Sequence, residues 1–174
     1  MLQEDNEKVQ RLRLEFIKKG LENKENCLYV TTQRDKGRFE VELSKMGIDV
    51  KKFQKSGALK IISISDPFVQ EEGFTASISA VWKTLPIDNT KKTRIACNVL
   101  KDITKITNDQ VKEIIKVEAW LQEKFMSSNF TILCTCDISN IDSSTEPTFL
   151  KNIQNHHGVM FAPKESAGLG FYLN

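Results

Sequence analysis

The chain has 174 residues, 40% of them apolar and 28% charged, with a net charge of +2. That length supports one globular domain spanning residues 1–174 with a single sizeable core. Near-balanced charge without clustered Lys and Arg argues against direct nucleic-acid binding, and no stretch approaches the ~20 apolar residues of a membrane span.

In chain order, Val9, Leu12, Phe16 and Ile17 recur at helical spacing, and Gly20 stands where such a helix would end. Cys27 to Thr31 reads as a short buried strand. Phe39, Leu43 and Met46 mark a second helix closed by Gly47, and Asp49 is placed to cap a brief helical turn through Phe53. Gly57 releases the chain into a strand from Leu59 to Ile64, and Asp66-Pro67 breaks it. Phe74, Ile78, Val81, Trp82 and Leu85 stripe a third helix ended by Pro86, and Arg94 to Leu100 is the next strand.

A longer helix is predicted from Asp109 to Met126, with Val111, Ile114, Ile115, Leu121 and Phe125 facing inward. A strand from Phe130 to Cys136 and a helix near Phe149, Leu150 and Ile153 follow. Val159 to Ala162, a turn at Gly168-Gly170 and Phe171 to Leu173 close the chain as an antiparallel hairpin. Helices alternating with continuous apolar strands indicate an α/β fold whose mostly parallel sheet is covered on both faces, a three-layer sandwich. There is no internal repeat, linker or low-complexity segment.

The N-terminus, MLQEDNEKVQR, is too polar for a signal peptide. Cys27, Cys97, Cys134 and Cys136 all sit in apolar, strand-like runs, as expected of buried thiols in a reducing cytoplasm. Cys134 and Cys136 point to one face of a strand, where a Cα separation near ~7 Å suits a disulfide poorly. Their spacing is not the C-x₂-C of a zinc ribbon, so structural thiols are expected and no metal. His156 and His157 precede a strand without a G-x-S-x-G elbow or comparable cysteine setting, which favours helix-terminal histidines over catalytic ones. Trp82 and Trp120 fit helix packing.

In open α/β sheets ligands bind outside the carboxyl ends of the strands, near a topological switch point. Thr31, Thr32, Gln33, Ser65, Asp66, Asn98 and Asp137 should gather along that rim. Asp and Asn are equally ordinary turn residues, so the rim is either a ligand pocket or a set of turns.

Four segments carry a resemblance: FIKKGLENKENCLYVTT (16–32), KMGIDVKKFQKSGALKIISI (45–64), VEAWLQEKF (117–125) and LCTCD (133–137). In order and spacing they resemble the MEDS sensory domain, within the KaiC-like branch of the RecA superfamily. The resemblance implies a RecA-like α/β sandwich without ATPase machinery, used in signalling and transcriptional proteins to sense small organic ligands. Relatives begin with an additional strand ahead of the first helix, and MLQED is too short and polar to supply it. Closing up of the remaining strands, a truncated N-terminus or a partner filling the gap would each answer that difference. The resemblance also puts an acid at Glu118, either in a structural ion pair with a partner such as Arg94 or as a ligand contact.

RecA-type hydrolysis needs three parts. No glycine lies in a G-x-x-x-x-G-K-[ST] phosphate loop. Gln33 and Arg34 stand where the second strand would present a catalytic acid, with Asp35 expected to cap the following helix. The RIACNVL strand offers Asn98, an amide, where Mg²⁺ prefers an anionic oxygen, and Asp102 lies beyond it.

The expected function is therefore a non-catalytic, pseudo-ATPase-like sensory or regulatory domain. It would take a small ligand or nucleotide at Thr32, Gln33, Asp66, Asn98, Glu118 and Asp137, hold no resident cofactor, and act through a protein partner or homo-oligomer. The alternative is a ligand-free interaction or assembly subunit of RecA-like fold. A catalytic domain using Cys134 or His156 is the weakest reading.

Overall fold

The computed structural model describes residues 2–65, 68, 73–83, 91–98, 106–125, 129–135, 144, 146–156, 159–164 and 168–173. The chain divides into two compact units, Met1–Ile103 with Ser128–Asp137, and Thr104–Ser127 with Ile138–Asn174.

Among its described residues the first unit holds four parallel strands: β1 (Asn26–Thr32), β2 (Leu59–Ile64), β3 (Thr93–Asn98) and β4 (Phe130–Cys134). They pair contiguously in the order β2-β1-β3-β4. Among the described residues the four strands pair with no gap between them. Its helices among the described residues are α1 (Leu2–Glu22), α2 (Gln33–Lys45), α3 (Val50–Lys55) and α4 (Gly73–Lys83).

Register fixes which side chains share a face, because paired residues of parallel strands project to the same side. Tyr29 pairs with Ile61 and with Ala96, and Ala96 with Leu133. On this face Leu14, Ile17 and Leu21 of α1 and Phe39 and Leu43 of α2 join Cys27, Tyr29, Leu59 and Ala96 in one buried cluster. Tyr29 and Phe39 stack with centroids 3.5 Å apart and rings 11° from parallel. On the opposite face Trp82 of α4 meets Phe130 edge-on at 5.8 Å. Leu28 and Val30 are buried as fully as Cys27 and Tyr29, so β1 has no solvated side, as a central parallel strand requires.

The helix ends follow local chemistry with two corrections. Asp49 caps α3 by accepting from the Lys52 amide at 3.0 Å, and Gly47 and Gly57 take φ of +83° and +77° just past α2 and α3. Gly20, however, does not end α1, which continues to Glu22 and is left through Lys24 at φ +61°. A Cβ at Gly20 would lie 2.5 Å from Cys27 Sγ and 2.7 Å from Arg94 Cδ. The glycine is there because α1 crosses β1 and β3 at close range. Leu12 is also turned outward, while Arg13, Leu14, Ile17 and Leu21 form the inner stripe.

In the second unit, α5 (Asn108–Phe125) packs with α6 (Glu146–His156). The start of α5 is fixed by a reciprocal cap: Thr107 N donates to Gln110 Oε1 at 2.9 Å, and Gln110 N to Thr107 Oγ1 at 3.4 Å. Val111, Ile114 and Val117 are its fully buried side chains, with Phe149 on α6. Val117 thus takes an inner place that the sequence reading assigned to Ile115 and Leu121. Strands β5 (Val159–Lys164) and β6 (Gly168–Leu173) pair antiparallel, and Gly168 to Gly170 lie within β6 rather than in the turn. No helix among the described residues is long and apolar enough to cross a membrane.

Candidate functional site

The order 2-1-3-4 places a switch point between β1 and β3, because the chain steps outward from β1 to β2 and then returns across β1 to continue on the far side. Thr31 and Asn98 are register partners at the carboxyl ends of those two strands. Both are buried, Asn98 to 3% exposure and Thr31 to 0%. Polar groups so deep need partners; neighbouring elements supply them for Asn98, whereas the Thr31 hydroxyl has no hydrogen-bond partner among the described residues.

Asp35 lies in the first turn of α2 at 7% exposure. It accepts from Asn98 Nδ2 at 2.8 Å and from the Tyr29 hydroxyl at 3.4 Å. The cap position of α2 is Thr32, so Asp35 does not cap the helix as the sequence reading expected. The reason is that α2 begins directly at the end of β1, with no intervening loop, which carries Asp35 inward over the sheet. Burial pushes the Tyr29 hydroxyl up from its ordinary pKa, against the pull of the Arg13 charge.

Arg13 of α1 reaches the same place. The residue is 2% exposed, and its Nη1 donates to Thr135 Oγ1 at 2.8 Å. Thr135, just past β4, in turn donates through its hydroxyl to the Cys97 carbonyl at 3.0 Å. Burial lowers the Arg13 pKa, opposed by Tyr29 and Asp35 and aided by Arg38. A guanidinium keeps its charge even so. Helix α1, strands β1, β3 and β4, and helix α2 therefore all send polar groups to one spot.

Of the residues singled out from sequence, Thr32 and Asn98 lie at this rim, and Gln33 opens α2. Ser65 directly follows β2 and is exposed. The Gln33 side chain, Asp66, Asp137, Cys136 and His157 lie outside the described residues. Glu118 is half-buried on α5, in the second unit. The acid beside Arg94 is Glu25, which accepts from Arg94 Nε, and the guanidinium also lies 5.0 Å over the Phe16 ring. Arg94 holds the Glu25 carboxyl below the usual carboxylate range. This pair is at the amino ends of the strands.

Sequence reasoning missed Arg13, Tyr29, Asp35 and Thr135. Tyr29 was available in principle, since it shares a face with Thr31 two residues on. Arg13 was not, because it lies on the inner stripe of an amphipathic helix where an apolar residue is the ordinary occupant.

The described surface also has concavities, at the opposite end of the sheet. One is lined by Asn26, Leu28, Gly57, Lys60, Thr93 and Phe130, and a broader, open one by Leu21, Glu25, Phe53, Ala58 and Lys91. Glu25 is already engaged by Arg94, whereas the carboxyl-end rim gathers Arg13, Asp35 and Asn98, so the chemistry favours that rim. Cys97 and Cys134 are register partners, half-buried and not joined in a disulfide. Among the described residues no three His, Cys, Asp or Glu side chains come together to hold a metal ion.

A family model described as MEDS, MEthanogen/methylotroph, DcmR Sensory domain, matches residues 1–156. A comparison with curated proteins finds no match.

Proposed function

The chain belongs to the MEDS family of sensory domains, and on that premise we propose that it binds a small ligand at the carboxyl ends of β1 and β3 and passes the bound state to a protein partner. The observation that carries this reading is the convergence of Arg13, Thr31, Asp35 and Asn98 at the topological switch point of a parallel sheet. A structural domain has no need of a buried arginine and carboxylate there, where apolar side chains would pack at lower cost.

The domain acts without catalysis on a three-layer scaffold of RecA/KaiC-like descent, inside the cytoplasm. Two things support the absence of turnover. The sequence has no phosphate loop, and Asn98, at the place of a Mg²⁺ ligand, uses its amide to hold Asp35. Thr32, Gln33 and Asn98, with Asp66 after β2 and Asp137 after β4 in the sequence, are the ligand contacts of this reading.

Native mass spectrometry of the purified protein, with and without ATP and Mg²⁺, tests the reading. A retained small molecule, or stoichiometric addition of nucleotide without hydrolysis, is the expected result. Mg²⁺-dependent ATP turnover that Asp137→Ala abolishes would overturn it. A bare mass in a stable assembly, indifferent to every added ligand, would favour an assembly subunit instead.

A further inference from the structure

We propose that Arg13 grips an oxyanion, a small carboxylate or phosphate, through the edge formed by its Nε and Nη2. The inference rests on the ligand-sensing reading above and names the chemistry of the ligand. Both nitrogens are buried, and among the described residues neither has a hydrogen-bond partner. Their N–H bonds run side by side, which is the geometry that meets two oxygens of one carboxylate or phosphate. The third nitrogen, Nη1, is tied to Thr135 and fixes the plane of the fork.

Two further observations agree. Leaving two charged donors buried without acceptors is expensive, on the order of 1–3 kcal/mol for each group, so a site of this kind is retained for something that satisfies it. The local charge agrees. Asp35 is the described acid that acts on Arg13, and the exposed Arg38 adds positive charge from the surface. Asp35 is committed to Asn98 and Tyr29. One added anion completes the hydrogen bonding. Gln10, one turn earlier on α1, is a second buried polar residue of that helix.

The test is side-chain ¹H–¹⁵Nε NMR on the full chain, with Arg13→Lys identifying the Arg13 signal. Sodium acetate and sodium phosphate are titrated at constant ionic strength against sodium chloride. The expected result is a saturable downfield shift of the Arg13 Nε–H with acetate, phosphate or both, and none with chloride. Response to acetate alone identifies a carboxylate ligand, and response to phosphate alone a phosphorylated one. Arg13→Lys, which keeps the charge and loses the fork, should weaken binding at least tenfold, about 1.4 kcal/mol.

Absence of any response to both anions overturns the inference. So does a signal already shifted in their absence that Asp137→Asn restores, since the fork would then hold an internal carboxylate. A neutral ligand binding wild type and Arg13→Lys equally would leave the sensing reading standing and remove this one alone. Failure of every small molecule to bind would remove both.

Discussion

Asp35 balances Arg13 and is itself held by an amide and a phenol, so its loss removes one charge and strands two donors. Asp35→Ala should cost roughly 3–5 kcal/mol, the range for breaking a buried charge arrangement, and Asp35→Asn less because the hydrogen-bond acceptor survives. Urea unfolding midpoints measure both. In a double-mutant cycle, Arg13→Met with Asp35→Ala should be less destabilised than the sum of the single changes. Strict additivity would mean the two charges do not sense each other. Cys27, nearby under α1, gives a prediction in pH. Burial pushes its thiol from 9.0 up to about 12. The folded state therefore keeps the proton that the unfolded state releases, and this contribution is complete below pH 9 and lost between pH 9 and about 12. The slope attributable to Cys27 approaches about 1.4 kcal/mol per pH unit in that window. Comparing unfolding free energies of wild type and Cys27→Ala at pH 8 and pH 10 isolates it from the lysines and Tyr29. A difference that stays constant with pH would show the thiol to be unperturbed.

At the scale of elements, two glycines separate turn chemistry from packing. Gly47 has φ +83° and open space around its Cα, so Gly47→Ala should cost about 1–2 kcal/mol through backbone strain alone. Gly20 is helical, and an alanine there would gain about 1 kcal/mol of helix propensity. The blocked contacts with Cys27 and Arg94 outweigh that gain, and Gly20→Ala should lose about 1–3 kcal/mol net. Pairing it with Cys27→Ala should recover part of the loss, read from thermal melts, whereas Gly47→Ala should be unaffected by the same background. Net stabilisation by Gly20→Ala would mean that the helix does not approach the sheet this closely. The same pair shows what sequence can and cannot disclose. Periodicity and breaker residues located the four parallel strands and the turns at Gly47 and Gly57, because those signals are local. Whether a glycine ends a helix or lets it touch a strand 70 residues away is a tertiary fact, and Gly20 reads identically in both cases.

Over the first unit as a whole, alternating helices and apolar strands announced an α/β fold but left the strand order open, and the order decides where a ligand sits. Thr32 and Asn98 were legible as rim residues because each ends an apolar run. Arg13, Asp35 and Thr135 were not, since their meeting depends on α1 lying over β1 and β3 and on α2 starting without a loop. The order β2-β1-β3-β4 puts the switch point between β1 and β3, and the site proposed there makes a spatial prediction for whatever small molecule proves to bind. Hydrogen exchange measured with ligand should slow in peptides covering 28–39, 94–98 and 10–16, which hold the carboxyl ends of β1 and β3, the start of α2 and the Arg13 turn. Peptides covering 22–26 and 56–60, at the amino ends where the open concavity lies, should exchange as before. Binding in that concavity would produce the reverse pattern, because Lys24, Glu25, Gly57 and Ala58 line it. Protection at the carboxyl ends that disappears in Arg13→Lys would tie the location to the fork, since that substitution alters the ligand's hydrogen bonds and leaves the strand order untouched.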